Sequence, residues 1–201
     1  MKSRLLIGVL ALLGFAVLTT SCDKLPQVEL DAAVAAVETA KAAQADIYAA
    51  EAFNALQDSM KVANENIELQ KSKLFKKYSV AKAQLIAVAT LAPQVKQQAE
   101  TKKAELMAEI DTTIAATKAL IVENNELMLK APKGKEGKAA LEAMKSEIAV
   151  IEASLTEAAN LQAAGNLFGS LDKAKAANAK ATEINTELKE VTAKYTKAKR
   201  K

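Results

Sequence analysis

Apolar residues recur at intervals of three and four along most of this chain, the spacing that places side chains on one face of an α-helix. It predicts a first helix that ends near residues 46–48 and a second that runs from about Ala50 to Lys71, followed by a turn over residues 72–78. The positions expected to face inward in these two helices are Leu30, Val34, Val37, Ala52, Leu56, Ala63 and Ile67.

A long third helix is predicted from that turn to about Lys130. Pro93 lies inside it, and because proline lacks a backbone N–H and its ring clashes with the preceding turn, we expect a kink or a break near Thr90. The inward face is clearest in the second half of this helix, at Leu106, Ile110, Ile114, Thr117, Ile121 and Met128.

Two loops separate two further helices. Residues 131–137 combine proline with two glycines and form the strongest loop signal in the chain, and Gly165, Asn166 and Gly169 mark the next turn. Alternating steps of three and four, typical of coiled-coil packing, continue in both helices. The inward positions are Leu141, Met144, Ile148, Ile151, Leu155 and Ala158 in the fourth helix and Ala174, Ala177, Ala181, Ile184, Leu188, Val191 and Tyr195 in the fifth.

Short loops between such helices imply antiparallel neighbours. We therefore predict an all-α fold of elongated antiparallel helical hairpins or a three-helix bundle, with one long central helix. A weak internal repeat at an offset of 93 residues pairs the segment that begins Lys73-Leu74-Phe75 with the one that begins Asn166-Leu167-Phe168. This repeat suggests two related helical units, although alanine-rich helices also resemble one another by chance.

The first residues have the order of a secretory signal. Lys2 and Arg4 precede an apolar run over residues 5–18. At about fourteen residues the run is shorter than the roughly twenty that a membrane-spanning helix needs. It is typical of a cleavable signal peptide.

The end of that signal resembles a lipobox, the recognition sequence of bacterial lipoproteins. It reads Leu18-Thr19-Thr20-Ser21-Cys22, with the leucine four residues before the cysteine, where three is commoner. The resemblance implies that residues 1–21 are removed and that Cys22 is acylated, for example with palmitate, anchoring the chain to the inner or outer membrane of a bacterial envelope. An ordinary secreted protein is the alternative. Asp23 favours inner-membrane retention under the enterobacterial rule, which does not hold in all bacteria.

Composition narrows the function classes. Removal of residues 1–21 reduces 28 basic and 24 acidic residues to 26 and 24, a net charge of +2, which argues against a general nucleic-acid binder. The chain has no histidine and one cysteine, so the usual zinc ligands and the commonest catalytic base are missing. Glutamate pairs such as Glu123 with Glu126 and Glu183 with Glu187 lie on polar helix faces. We predict no catalytic residue, metal site or cofactor.

The run from Val28 to about Leu106 resembles an uncharacterised alanine-rich domain of bacterial envelope lipoproteins, a domain of unknown function. The likeness is carried by residues 40–51, AKAAQADIYAAE, although this family often has glycine and proline where this chain has Gln44 and Ala50. The resemblance implies a helical envelope protein and brings no catalytic residues with it.

The C-terminus is basic, with Lys194, Lys197, Lys199, Arg200 and Lys201 and no acidic residue after Glu190. Three interpretations remain open. The cations complement a helix dipole, or they are attracted to anionic lipid or wall polymer, or they form a covalent wall attachment. The third rests on a resemblance of this ending to that of the major outer-membrane lipoprotein of enterobacteria, which implies that the terminal Lys201 is linked to peptidoglycan.

These features divide the chain into a signal peptide (residues 1–21), a lipidated tether (22–27), a first helical unit with the long helix (28–131) and a C-terminal hairpin with a basic tail (132–201). The predicted function is that of a non-catalytic, membrane-tethered structural or adaptor protein of the cell envelope, with its body in the periplasm or at the cell surface. The alternatives are a ligand-binding periplasmic lipoprotein and a peptidoglycan-linked tether.

Overall fold

The computed structural model describes residues 23–132 and 134–199, and within them all regular secondary structure is helical. The prediction of an all-α fold with one long central helix is confirmed, since α4 has 52 residues. The six helices of the described residues are α1 Gln27–Ala42, α2 Ala45–Tyr48, α3 Ala50–Lys71, α4 Ser79–Lys130, α5 Lys135–Ala163 and α6 Leu167–Lys199.

The chain forms two compact units that share α4. Unit 1 extends to Lys96, and unit 2 begins at Gln97. In its described part, unit 1 contains α1, α2, α3 and the first part of α4, while unit 2 contains the rest of α4 with α5 and α6. The loop after Lys130 therefore lies inside unit 2.

In unit 1, α1 and α4 run parallel and α3 runs antiparallel to α4. Lys82 Nζ lies 2.7 Å from Glu29 Oε1 near the start of both α4 and α1, and Asn66 near the end of α3 donates a 2.8 Å hydrogen bond to Gln84. The core between these helices consists of Ala33, Ala40, Ala45, Tyr48, Phe53, Leu56, Ala63, Ile67, Tyr78, Ala81, Leu85, Val88, Ala92 and Val95.

Alanines rather than valines form the buried face of α1. Ala33 and Ala40 are fully buried, Val37 is half-buried, and Val34, predicted to face inward, is 43% exposed. The prediction for Val34 was wrong because hydrophobicity ranked it above alanine. Helices that pack closely need the small side chain at the contact and leave the larger one beside it.

The first helix ends earlier than predicted. It stops at Ala42, and Gln44 adopts the left-handed conformation with φ 63°, the only described non-glycine residue with positive φ. A left-handed residue cannot continue a right-handed helix, so residues 45–48 form a separate turn, α2. Gln44 stands where the resembled family often has glycine, the residue that adopts this conformation with least strain.

Pro93 does not break α4. The helix is continuous from Ser79 to Lys130. Of the two expectations near Thr90, a kink or a break, the break is therefore wrong. The buried stripe of α4 passes the proline without interruption, because Pro93 itself is exposed. Steps of three and four join the buried residues on either side of it, Ala81, Leu85, Val88, Ala92, Val95 and Ala99.

Unit 2 repeats the three-helix arrangement. Ion pairs join Glu109 to Lys175 and Glu123 to Lys189, so the paired numbers rise together and α4 and α6 run parallel. Between α5 and α6 the pairing Glu157 with Lys173 shows the antiparallel direction, as the short loop predicts. The central cluster contains Ile121, Ile148, Ile151, Leu155, Ala177, Ala181, Ile184 and Leu188, packed against Ile114, Met128, Leu141 and Met144.

The inward face of α6 ends about two turns earlier than the spacing predicts. Leu188 is buried, but Val191 and Tyr195 are more than 40% exposed. The partner helices explain this difference, because α4 ends at Lys130 and α5 begins at Lys135, so the last turns of α6 extend past the core cluster. The prediction of inward positions for these two residues was wrong.

The turn between α5 and α6 closes both helix ends. Gly165 has φ +80°, and its N–H bonds the carbonyl of Gln162, while the N–H of Asn166 bonds Leu161 at 2.9 Å. These two bonds form a Schellman cap. Asn166 then caps α6, because its Oδ1 accepts a 3.0 Å hydrogen bond from the N–H of Gly169. Gly169 is thus the third residue of α6 rather than part of the turn.

Candidate functional site

The two residues singled out by sequence, Cys22 and Lys201, lie outside the described residues. The structure does describe the chain from Asp23, one residue after the predicted acylation site. The nearest observable part of the predicted anchor is therefore the segment 23–26 and whatever it contacts.

Asp23 is fastened to the turn between α3 and α4. Its Oδ2 accepts a 3.2 Å hydrogen bond from the N–H of Tyr78, and its own N–H donates to the carbonyl of Lys76 at 3.4 Å. Pro26 is buried and α1 begins at Gln27, so the predicted tether is ordered against unit 1 from its second residue. We name the contact of Asp23 with residues 76–78 the latch.

The turn beside the latch exposes large apolar side chains. Leu74 is 84% exposed and Phe75 is 64% exposed. Lys71, Lys73, Lys76 and Lys77 surround this pair, and no acidic residue occurs from Leu69 to Lys82. We name residues 71–77 the basic–apolar turn.

The sequence predicted this turn but not the exposure of its apolar side chains. In the internal repeat, Leu74 and Phe75 match Leu167 and Phe168. The exposures of the matched leucines differ, however, since Leu167 is 3% exposed and Leu74 is 84% exposed. An apolar pair between lysines was the available signal. The later part of the repeat agrees better with the structure, although Leu91 is 44% exposed and its match Ile184 is buried. Five matched pairs are buried in both units: Tyr78 with Leu171, Ala81 with Ala174, Val88 with Ala181, Ala92 with Asn185, and Val95 with Leu188.

An open groove lies on the outer side of α1 and α3 in unit 1. Its volume is about 930 Å³, and its apolar part comes from Val37, Met60 and Leu69. The polar side chains along it belong to α3 and to its C-cap residue, Ser72. They are Gln57, Lys61, Asn64, Glu65, Glu68 and Ser72.

A chain of amide and hydroxyl groups is buried between α4 and α6. Asn124 is fully buried, donates a 2.9 Å hydrogen bond to the carbonyl of Ala181, and accepts one of 2.8 Å from Asn185. About two helical turns away, Asn178 donates to the buried Thr117 hydroxyl at 3.0 Å. Sequence reasoning placed Thr117 inward but missed Asn124, because asparagine carries no apolar signal.

The glutamates considered for chemistry serve as partners of lysines or lie exposed. Lys189 Nζ, 2.9 Å from Glu123, lowers the pKa of that carboxyl through a charge-assisted hydrogen bond. Lys82 lowers the pKa of Glu29 in the same way. Within residues 23–132 and 134–199, no three acidic or sulfur side chains converge in a way that could hold a metal ion.

No described helix is both long and apolar enough to cross a bilayer. Comparison of the chain with protein-family models, curated proteins and solved structures gave no match. The predicted family resemblance and the predicted acylation therefore stay predictions, and the geometry of the latch and of the basic–apolar turn is the information that bears on function.

Proposed function

We propose that this chain is a lipid-anchored bacterial envelope protein whose helical body acts by contact rather than by chemistry. The latch is the observation that carries the proposal. With Asp23 bonded to residues 76–78, an acyl group on Cys22 would be attached directly to a folded unit, with no long linker between lipid and body. Such an attachment holds the body at the bilayer surface.

The interior of unit 2 supports a structural role. The Asn185 amide donates a hydrogen bond to Asn124 across α6 and α4, and buried amides of this kind fix the register of packed helices. Charged pairs on the outside join the same helices. A body with a fixed register presents constant faces, which suits an adaptor or spacer in the envelope.

Replacement of Cys22 with serine tests the anchor. Serine cannot form the thioether that lipoprotein acylation requires, so Cys22→Ser should abolish incorporation of labelled palmitate and move the protein out of the membrane fraction. Ser21→Ala is the matched control, because it keeps a small residue before the cysteine. Membrane association and labelling that survive Cys22→Ser would reject the proposal.

Proximity crosslinking in intact cells tests the adaptor role. A photoreactive residue at the exposed Val150 of α5 should give discrete crosslinked envelope proteins, and the same residue at buried Ile151 should give only products within the chain. Crosslinks from Val150 that are diffuse and unchanged in the Cys22→Ser strain would speak against a specific envelope partner.

A ligand-binding lipoprotein is the second candidate, and the groove of unit 1 favours it. Mixed apolar and polar walls around about 930 Å³ would accommodate a small amphiphile. Native mass spectrometry of the purified protein should then show a retained molecule that Met60→Lys removes and Met107→Lys does not, because Met107 belongs to unit 2 and does not line this groove. Protein of bare polypeptide mass would argue against this function.

A further inference from the structure

We propose that the basic–apolar turn is a second membrane contact, in which Leu74 and Phe75 enter an anionic phospholipid surface beside the anchor. This contact deepens the proposed function and rests on it for the position of the bilayer. It gives the tethered protein a defined orientation, with the α3–α4 end of unit 1 against the lipid.

The latch places the turn and the predicted anchor at the same point of unit 1. Both hydrogen bonds of Asp23 go to residues 76–78. Residue 22 is one peptide unit from Asp23, and consecutive Cα atoms are about 3.8 Å apart. Acyl chains that enter a leaflet from residue 22 therefore bring the headgroup region to the turn.

The apolar side chains at the α3–α4 end of unit 1 are exposed, as a contact with the bilayer surface requires. Leu74 and Phe75 are the most exposed pair, and Leu69 at the end of α3 and Val80 at the start of α4 are 59% and 62% exposed. Apolar side chains of surface-bound segments lie at the boundary of headgroups and acyl chains. In water these four would remain hydrated, so contact with lipid stabilises them.

The charge of the turn selects an anionic surface. Lys73 and Lys77 are exposed on either side of the apolar pair, and Lys76 flanks it as well, whereas Lys71 is paired with Glu68 at 2.7 Å. A lysine near an anionic leaflet is attracted to it, and such attraction decays within a Debye length. Lysines around an apolar centre favour phospholipid headgroups over a purely apolar protein partner, because the cations then meet phosphates while the apolar tips reach the acyl boundary.

Tryptophan fluorescence can locate the turn, since the chain contains no tryptophan. We would reconstitute the full acylated chain carrying Phe75→Trp in vesicles of phosphatidylglycerol and phosphatidylcholine. The emission should shift to shorter wavelength and be quenched by brominated acyl chains. Ile47→Trp is the matched control, because Ile47 is half exposed in α2, before the N-terminus of α3, about 33 Å of helix from the turn.

A second arm removes the anchor. In the Cys22→Ser chain, binding to anionic vesicles should fall about thirtyfold when Lys73 and Lys77 are both replaced with glutamine, about fivefold for each lysine. Leu74→Ser with Phe75→Ser should weaken the same vesicle binding, because it removes the two apolar side chains that enter the lipid surface. Because all of these chains share the same N-terminus, the differences report on the turn alone.

The outcomes separate the two proposals. If an anchored Phe75→Trp chain is quenched no more than its Ile47→Trp control, the membrane contact is overturned while the anchor stands. If the Cys22→Ser chain shows the turn-dependent binding but the native chain carries no lipid, the contact stands and the anchor fails. A dimer in lipid-free solution that Leu74→Ser with Phe75→Ser dissociates would assign the turn to self-association and overturn the contact.

Discussion

At the scale of single residues, the buried polar groups of unit 2 are the most informative feature. Asn124 has no contact with water, yet both ends of its amide are satisfied, one by Ala181 and one by Asn185. A buried amide stabilises a structure only while its partners are in place, and it penalises every other register of the two helices. The stability of unit 2 therefore depends strongly on this pair.

Asn124→Ala should lower the free energy of unfolding by about 2–4 kcal/mol, because it leaves a cavity and removes a buried acceptor of the Asn185 amide. Urea unfolding followed by far-UV circular dichroism measures the change. Asn125→Ala, at the exposed neighbouring position, is the control and should stay within about 0.5 kcal/mol. Equal effects of the two substitutions would show that the buried pair adds nothing.

Glycine is needed at position 169 because of the nearby Asn166 side chain and not because of its own backbone conformation. A Cβ atom at this position would lie 2.8 Å from Asn166 Nδ2, so Gly169→Ala displaces the side chain that caps α6. Loss of a cap costs about 1 kcal/mol, which offsets the higher helix propensity of alanine. In the Asn166→Ala background the clash is absent, and there Gly169→Ala should stabilise by about 0.5–1 kcal/mol. Thermal unfolding of the four chains tests this dependence on Asn166, and an equal effect of Gly169→Ala in both backgrounds would contradict it.

At the scale of elements, α4 shows how packing overrides a local preference. Pro93 removes one backbone donor from the helix. It lies on the exposed face of α4, however, so its ring faces solvent while Ala92 and Val95 pack inward. Two sets of partner helices hold α4, one in each unit. Their contacts are distributed along the helix, whereas the disruption is confined to one turn, and so the helix continues.

Pro93→Ala should raise the free energy of unfolding by about 1–3 kcal/mol, since it restores the missing hydrogen bond and removes the ring clash. Chemical denaturation is the measurement, with Gln94→Ala at the adjacent exposed position expected to change little. A destabilised Pro93→Ala protein would mean that the surrounding helices are fitted to a bend at the proline.

How well the sequence predicted each helix depends on the helices that pack against it. The spacing of apolar residues correctly located α3, α5 and the core of α6, because each has a broad apolar stripe. It misplaced Val34 and Tyr195, since the sequence does not show where the partner helix approaches closely or ends. The left-handed Gln44 was also missed, because glutamine gives no turn signal and its conformation depends on the packing of α1 against α3.

At the scale of the whole molecule, each unit places an ion pair between its first and last helices. Lys82 holds Glu29 in unit 1 and Lys189 holds Glu123 in unit 2, and in both cases the lysine lowers the glutamate pKa. A carboxyl with a lowered folded-state pKa contributes stability above its unfolded-state pKa and loses it as the pH falls through the folded value. The chain has no histidine to titrate between these carboxyls and neutrality.

Stability should therefore stay nearly constant from neutral pH down to the ordinary range of glutamate and decrease below it. Glu29→Gln and Glu123→Gln should each weaken this acid dependence, because a neutral amide binds no proton there. Urea midpoints measured across the acid range provide the test, with exposed Glu126→Gln as the control. A loss of stability that begins near neutral pH would contradict the assignment of the acid dependence to Glu29 and Glu123. An acid dependence that neither variant changes would contradict it as well.

The sequence by itself determined the helical class and the approximate helix bounds, and it is the basis on which an anchor at Cys22 is proposed. These features depend on local order: the period of apolar residues, the glycine turn at Gly165, and the succession of basic, apolar and small residues before one cysteine.

Only the tertiary structure decided what depends on residues far apart in the chain. It joined Asp23 to Tyr78 and Asn124 to Asn185, and it left Leu74 and Phe75 uncovered. A helical period shows which residues share a face, but burial depends on which other face covers it. For that reason the surface proposed to meet the membrane appears only once the helices are packed.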